Sequence, residues 1–104
     1  MGCMFNECHE LKEIKAINQF NTSKVTNMRA MFHECNNLIN LDLNFDTSNV
    51  IDMGRMFFNC NQLKYLNIDF TLRNDCIIKN MLKYLNSKCV LNTHNNYIKS
   101  LFHH

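Results

Sequence analysis

Apolar positions recur along the chain with a fixed period. A Met-Phe pair followed three residues later by Cys begins at position 4 and returns at 31 and 56, at intervals of 27 and 25 residues. The Leu and Ile positions after each Cys repeat in the same register, as does a Phe at 20, 45 and 70. A period of 20–50 residues is the signature of repeat folds. We therefore predict one domain over 1–104, with units at about 4–30, 31–55 and 56–80 and a degenerate unit and cap at 81–104.

Each unit is expected to contain one short strand. Leu38-x-x-Leu41-x-Leu43 alternates near its end, which is typical of a strand with one buried face. Alternation places Leu41 and Leu43 inward, so Asn40 and Asp42 point outward. Stacked units would then align their strands in a small parallel sheet.

The segment before each Cys has helical spacing. Met28, Met31, Phe32 and Cys35 lie at i, i+3, i+4 and i+7, on one helix face. Asn27, and likewise its counterpart Asp52, is a good residue to cap a helix start. The predicted fold class is therefore an α/β repeat, a short leucine-rich-repeat solenoid with a small parallel sheet on one face and short helices on the other.

The two ends of the repeats differ. A final apolar stripe predicts a helical C-terminal cap formed by Tyr97, Ile98, Leu101 and Phe102. Nothing comparable precedes Met4-Phe5, so Met4 and Phe5 are the candidate self-association end. We expect this end to be covered by a second copy of the chain, as in a homodimer, or by another partner.

The repeated residues resemble the BspA-like leucine-rich repeat family, whose units of about 25 residues occur in bacterial surface proteins and lipoproteins. The resemblance covers residues 4–70 well and 71–92 poorly, and is best over residues 31–53. The residues that carry it there are Met31-Phe32, Leu41-Asp42-Leu43, Phe45-Asp46-Thr47-Ser48-Asn49-Val50 and Asp52-Met53. The resemblance implies protein recognition without naming a partner. Unit one is two residues longer between Ile14 and Phe20, which predicts a local bulge.

Composition narrows the class of protein. With 46% hydrophobic and 19% charged residues, the chain is globular rather than disordered. The net charge of +2 argues against a strongly basic nucleic-acid binder, although residues 31–55 carry −3 and residues 56–104 carry +4. No apolar run approaches the roughly 20 residues that a transmembrane helix needs. No signal peptide is visible, which favours the cytoplasm, or the cell surface if the chain is a fragment.

Three of the six cysteines, Cys8, Cys35 and Cys60, are spaced by the repeat period. Cys packs as a small apolar group, so we expect a ladder of buried thiols. No Cys-x-x-Cys pair is present, which argues against structural zinc. We expect no metal and no cofactor. Disulfide pairing among the other three cysteines, Cys3, Cys76 and Cys89, stays open.

Two histidines lie beside ladder cysteines, as Cys8-His9 and His33-x-Cys35. A Cys–His nucleophile would need an accessible thiolate. Because the ladder thiols are expected to be buried, we expect no catalytic residue and no enzymatic activity.

The residues most available to a partner are those on the outer side of the strands and one outward aromatic. Tyr is a common anchor in protein interfaces. Phe58 stands where the other units have Asn6 and His33, so it is expected to face outward. The candidate protein-binding face consists of Lys12, Glu13, Lys15, Ile39, Asn40, Asp42, Phe58, Lys64, Tyr65 and Asn67. The alternative is a solvated sheet face without a partner.

These features favour a protein-binding module, such as a small inhibitor or adaptor that occludes a partner's surface. The alternative is a structural or self-associating fragment of a longer repeat protein of the surface type. A weaker alternative is nucleic-acid binding by the basic C-terminal part, through Lys79, Lys83, Lys88 and Lys99.

Overall fold

The strands of the repeat units pair in one sheet. The computed structural model describes Gly2, Phe5, Glu7 and residues 17–102. Along these residues lie a 3-10 helix at Ile17–Gln19, strands β1 (Asn40–Leu43), β2 (Tyr65–Ile68) and β3 (Val90–Asn92), and helix α1 (Asn96–Phe102). The three strands form a parallel sheet in the order β1-β2-β3. Each residue pairs with the one 25 positions later, as Leu41 does with Leu66 and Leu66 with Leu91.

The alternation predicted for the strands is confirmed. Leu41 and Leu43 are buried while Asn40 and Asp42 are exposed. The same positions of β2, Leu66 and Ile68, are fully buried. Burying one face of a strand fixes its register, because a slip of one residue would turn every apolar side chain outward.

The predicted fold class is wrong. The structure is a small three-stranded parallel sheet with one α-helix, and no solenoid with a helical face is seen in the described residues. The segments around Met28–Cys35, and their counterparts one and two units later, are runs of turns rather than helices. We call residues 28–35, 53–60 and 78–85 the turn rows. Among the predicted helical segments that the structure describes, the cap alone is an α-helix, at Asn96–Phe102.

The hydrogen bonds of the turn rows explain why the helical spacing misled. In the first row the N–H groups of Met31 and Cys35 bond the carbonyls three residues back, at 3.3 and 3.1 Å, and so close tight turns. The third residues of these two turns, Ala30 and Glu34, have φ of 55° and 58°. A turn with a positive φ at its third residue is incompatible with a continuing right-handed helix.

Alternate N–H groups of the first and second turn rows donate to the unit that follows. Those of Ala30, Phe32 and Glu34 donate to carbonyls of the second row at 2.9, 2.9 and 2.7 Å. The second row bonds the third in the same way. In a helix, these N–H groups would bond carbonyls of the same segment. In the turn rows, half of them bond the neighbouring unit instead and so hold the units together. The buried positions still follow i, i+3, i+4 and i+7, because Met28, Met31, Phe32 and Cys35 are all fully buried.

Aromatic rings connect the units through the core. The ring of Phe32 stacks on Phe57 with centroids 5.6 Å apart, and on Phe5 at 5.4 Å. The interplanar angles are only 4° and 7°. One repeat position thus builds a stack of parallel rings, which the degenerate unit continues with the buried side chain of Leu82.

The segments between strand and turn row contain turns in which the Ser and Thr hydroxyls have different partners. The backbone N–H and the hydroxyl of Ser48 donate to Asp46 Oδ1 at 3.0 and 2.6 Å, and these bonds lower the pKa of that carboxyl. The buried Thr47 hydroxyl instead donates to the carbonyl of Thr71 in the next unit at 2.9 Å. Ser therefore closes the turn, while Thr joins adjacent units.

Different polar contacts are made on the two sides of the sheet. On the β1 side, the Asn18 side chain donates to the Asp42 carbonyl and accepts the Asn44 N–H, both at 2.9 Å, so its amide bonds the backbone at the end of β1. On the other side, Asn95 Oδ1 accepts the Ile98 N–H at 2.9 Å and caps α1. Ile98 is fully buried, and Leu101 and Phe102 are half-buried against the core.

Candidate protein-binding surfaces

The outer sheet face is formed by the outward side chains of the strands. Asn40 lies beside Tyr65, and Asp42 lies beside Asn67, whose Nδ2 donates to Asp42 Oδ1 at 2.7 Å. These four residues are arranged as predicted. Val90, which is 60% exposed, extends the first row beyond Tyr65.

The residues that flank this face have mixed roles. Ile39 is half-buried, and its carbonyl accepts the Lys64 N–H at 2.7 Å, so this pair joins two units. The Lys64 side chain is exposed. Four further predicted site residues lie outside the described residues, namely Met4, Lys12, Glu13 and Lys15. The described part of the outer sheet face is thus mainly polar, with one aromatic ring.

A second surface lies on the turn rows, and we call it the aromatic strip: His33, Phe58 and Tyr84, with Arg55 and Lys83. The His33 and Phe58 rings stack with centroids 5.0 Å apart and 11° between planes. Tyr84 meets Phe58 edge to face at 5.3 Å and 78°. The guanidinium of Arg55 lies 5.3 Å from the Phe58 centroid, and Lys83 Nζ lies 5.3 Å from that of Tyr84. Both distances are within the range of cation–π attraction.

Only part of the aromatic strip could be read from the sequence. Phe58 is partly exposed, in agreement with the prediction. His33 stands one repeat before Phe58, so the repeat register was a signal that the two rings would stack. Tyr84 was missed because its register partners, Glu34 and Asn59, are not aromatic. It is 59% exposed and has a φ of 63° in its turn.

The ladder thiols are core groups that bond the neighbouring unit. Cys35 and Cys60 are fully buried and form no disulfide. Cys60 Sγ donates to the Phe32 carbonyl at 3.1 Å, and Cys35 Sγ donates to that of Phe5 at 2.9 Å. Burial raises the pKa of Cys60 to about 12, which leaves it protonated at neutral pH. Cys8 lies outside the described residues.

Of the other cysteines, Cys76 and Cys89 form no disulfide. Burial raises the pKa of both thiols, to about 11 for Cys89. Cys3 lies outside the described residues. The pKa of Cys60, Cys76 and Cys89 is thus raised, whereas a cysteine nucleophile requires a lowered one.

His94 is paired with Asp69. The ring nitrogen Nδ1 of His94 lies 2.7 Å from Asp69 Oδ2, and the backbone N–H of His94 donates to Asp69 Oδ1 at 2.8 Å. The backbone bond, followed by the side-chain bond, lowers the pKa of Asp69. Both side chains are exposed, so this pair fixes the turn after β3 rather than forming a buried reaction centre.

The described residues contain neither a metal-binding cluster nor a membrane-spanning helix. They include no group of three or more His, Cys, Asp or Glu side chains placed to hold a metal ion. No described helix is long and apolar enough to cross a bilayer.

Comparison with known proteins places the chain in a family. The model of the family described as "Mycoplasma protein of unknown function, DUF285" matches residues 1–97. The chain belongs to this family. No curated protein and no solved structure matches it. The family description names no activity.

Proposed function

We propose that the protein is a non-enzymatic binding module that recognises another protein through the aromatic strip. The observation that carries this proposal is the edge-to-face pair of Phe58 and Tyr84, with Arg55 and Lys83 lying over the rings. Tyr and Arg are enriched among the residues that dominate interface energies.

The strip is ordered before any partner arrives. Phe58 is held between His33 on one side and Tyr84 on the other, and these residues lie on turn rows that are hydrogen-bonded to one another through the backbone. Little side-chain freedom would be lost on binding, which reduces the cost of association. The outer sheet face lacks such a cluster, since Tyr65 is its one aromatic side chain among the described strand residues. A module of this kind would act as an inhibitor or adaptor by covering a partner's surface.

We also propose that the units are related to BspA-like repeats at the level of sequence. The match over residues 31–53 supports that relationship, and recognition of proteins is what it implies. The relationship is proposed for the repeat motif alone, since the backbone of the turn rows is not helical.

The proposal is tested by quantitative capture from an extract of cells that express the protein. Immobilised wild type is compared with Phe58→Ala on the strip and with the matched variant Tyr65→Ala on the outer sheet face. We expect a specific partner to be retained by wild type and Tyr65→Ala and to fall at least about tenfold with Phe58→Ala, as for truncation of an interface anchor. Circular dichroism establishes that both variants are folded.

Retention by Phe58→Ala together with loss by Tyr65→Ala would place binding on the sheet face and refute the role of the strip. Equal retention by both variants would remove both surfaces from consideration.

We propose self-association as the second candidate function, because Phe5 is only half-buried although its ring stacks on Phe32. Met4, its neighbour in the predicted self-association end, lies outside the described residues. Light scattering over a concentration series should show a homodimer that Phe5→Glu dissociates. A monomer at every concentration would exclude this candidate.

A further inference from the structure

A groove lies beside the last turn row, between it and α1, and we call it the C-terminal groove. Its volume is about 1030 Å³. Met81, Leu82 and Leu85 line one side, and Leu101 and Phe102 line the other. The groove is therefore lined mainly by apolar side chains, and it is open to solvent.

In the first two turn rows, alternate backbone N–H groups donate to the next unit. The last turn row has N–H groups at the corresponding positions. In the second row, the N–H groups of Arg55, Phe57 and Asn59 donate to carbonyls of the third row at 2.9–3.0 Å, and that of Met53 donates to the carbonyl of Ile77, just before that row, at 2.7 Å. The four corresponding N–H groups, those of Ile78, Asn80, Leu82 and Tyr84, donate to no acceptor within the described residues. The last three of these residues line the groove. Buried or partly buried N–H groups are normally paired, so this row is a set of donors available to a bound chain.

The surroundings of the groove are basic. Lys79 and Lys83 are exposed on the last turn row, and Lys88 and Lys99 are exposed on the segments that follow it. Residues 76–104 contain no Asp or Glu at all. A bound segment would therefore meet positive charge at the rim of the groove and apolar side chains inside it.

We propose that the C-terminal groove binds an acidic peptide segment of a partner protein. Carbonyls at every second residue of the segment accept the N–H groups of Asn80, Leu82 and Tyr84. Its Asp or Glu side chains lie near Lys79 and Lys83, and its intervening apolar side chains enter the groove. This is the chemistry of a segment added to an open backbone edge, with main-chain bonds for affinity and side-chain pockets for specificity.

A peptide satisfies all three features of the groove. A nucleic acid would meet the lysines, but its backbone offers no row of carbonyls and its sugars and phosphates do not fill an apolar groove. The groove shares Lys83 and Tyr84 with the aromatic strip, but the inference goes beyond the proposed function because the groove and its N–H row do not require Phe58.

The experiment uses the full chain and a defined probe. The probe is a pool of nine-residue peptides with Asp or Glu at alternate positions and Leu, Val or Phe between them. Amide hydrogen exchange followed by NMR reports each N–H. Without the peptides, we expect the N–H groups of Asn80, Leu82 and Tyr84 to exchange fast while those of Arg55 and Phe57 are protected. Saturating peptide should slow exchange at least about tenfold at the first three alone.

Charge reversal gives a matched pair of variants. Lys79→Glu combined with Lys83→Glu should weaken peptide binding at least about tenfold, since it replaces attraction by repulsion at the rim. Lys24→Glu changes an exposed lysine of the first unit and should leave binding unchanged. Phe58→Ala should still bind the peptides, which separates this site from the proposed function.

Three results would overturn the inference. The first is no peptide binding at millimolar concentration. The second is binding that protects the outer sheet face or His33 and leaves the last turn row exchanging fast. The third is that single-stranded polyuridylate protects the row and the peptides do not, which would assign the groove to nucleic acid.

Discussion

Two substitutions of Glu34 distinguish a turn row from a helix. The deciding quantity is the sign of the difference in free energy of unfolding between Glu34→Gly and Glu34→Ala. Glu34 has a φ of 58° in the first turn row. Glu34→Ala and Glu34→Gly both remove the carboxylate, so their difference reports the backbone alone. The left-handed conformation costs an L-residue about 1–2 kcal/mol, which glycine avoids. Glycine loses about 0.5–1 kcal/mol more than alanine through conformational entropy.

These terms oppose each other, and the relief of strain is the larger. We therefore expect Glu34→Gly to be more stable to unfolding than Glu34→Ala by up to about 1.5 kcal/mol. In the interior of a helix the order would be reversed, with alanine more stable by about 1 kcal/mol. Urea denaturation followed by far-UV circular dichroism measures both variants.

Helix α1 supplies the control. Lys99 is exposed and lies inside Asn96–Phe102. Here Lys99→Ala should be more stable than Lys99→Gly by about 0.5–1 kcal/mol. If alanine is the more stable choice at both positions, Glu34 is in helical backbone and the assignment of the turn rows fails.

Three further predictions concern the core, the thiols and pH. Leu41→Ala should destabilise the fold by about 2–5 kcal/mol, and Asn40→Ala by less than about 0.5 kcal/mol; equal losses in urea denaturation would contradict the inward–outward assignment. Because burial raises the pKa of Cys60 from 9.0 to about 12, its thiolate fraction at neutral pH falls about thousandfold, and alkylation followed by mass spectrometry should label it far more slowly in native than in denatured protein. Asp69, whose pKa is lowered by bonds from His94, should titrate in the native protein below its usual pKa of 3.8 by carboxyl NMR; its contribution to stability is present above the unfolded pKa and is lost as the pH falls through the native value.

The strands could be predicted from sequence because their signal is local. Burial alternates within four residues, so Leu41 and Leu43 could be assigned to the core without knowledge of any neighbour. The cap was predictable for a similar reason, since Ile98 and Leu101 lie on one side of a short amphipathic helix.

The turn rows could not be predicted, because their deciding bonds join different units. A single unit shows the burial spacing of a helix, and the partner of the Phe32 N–H is the Met56 carbonyl, 24 residues away. Glycine would have been the warning of a positive φ, yet the positions that adopt it include Ala30, Glu34 and Arg55. For the same reason, only part of the aromatic strip could be predicted from the sequence. Phe58 stood out by comparison with its repeat counterparts, whereas Tyr84 reaches it across a unit boundary.

The regular offset between bonded units has a consequence for how such a chain can change in length. An in-frame duplication of one whole unit would present its neighbours with carbonyls and N–H groups in the same register as before. A shorter insertion within a strand or turn row would shift every later bond in that unit. The two additional residues of unit one fall between Ile14 and Phe20, in the segment that includes the 3-10 helix at Ile17–Gln19. Growth or loss by whole repeats is therefore the route of sequence divergence that this backbone permits most easily.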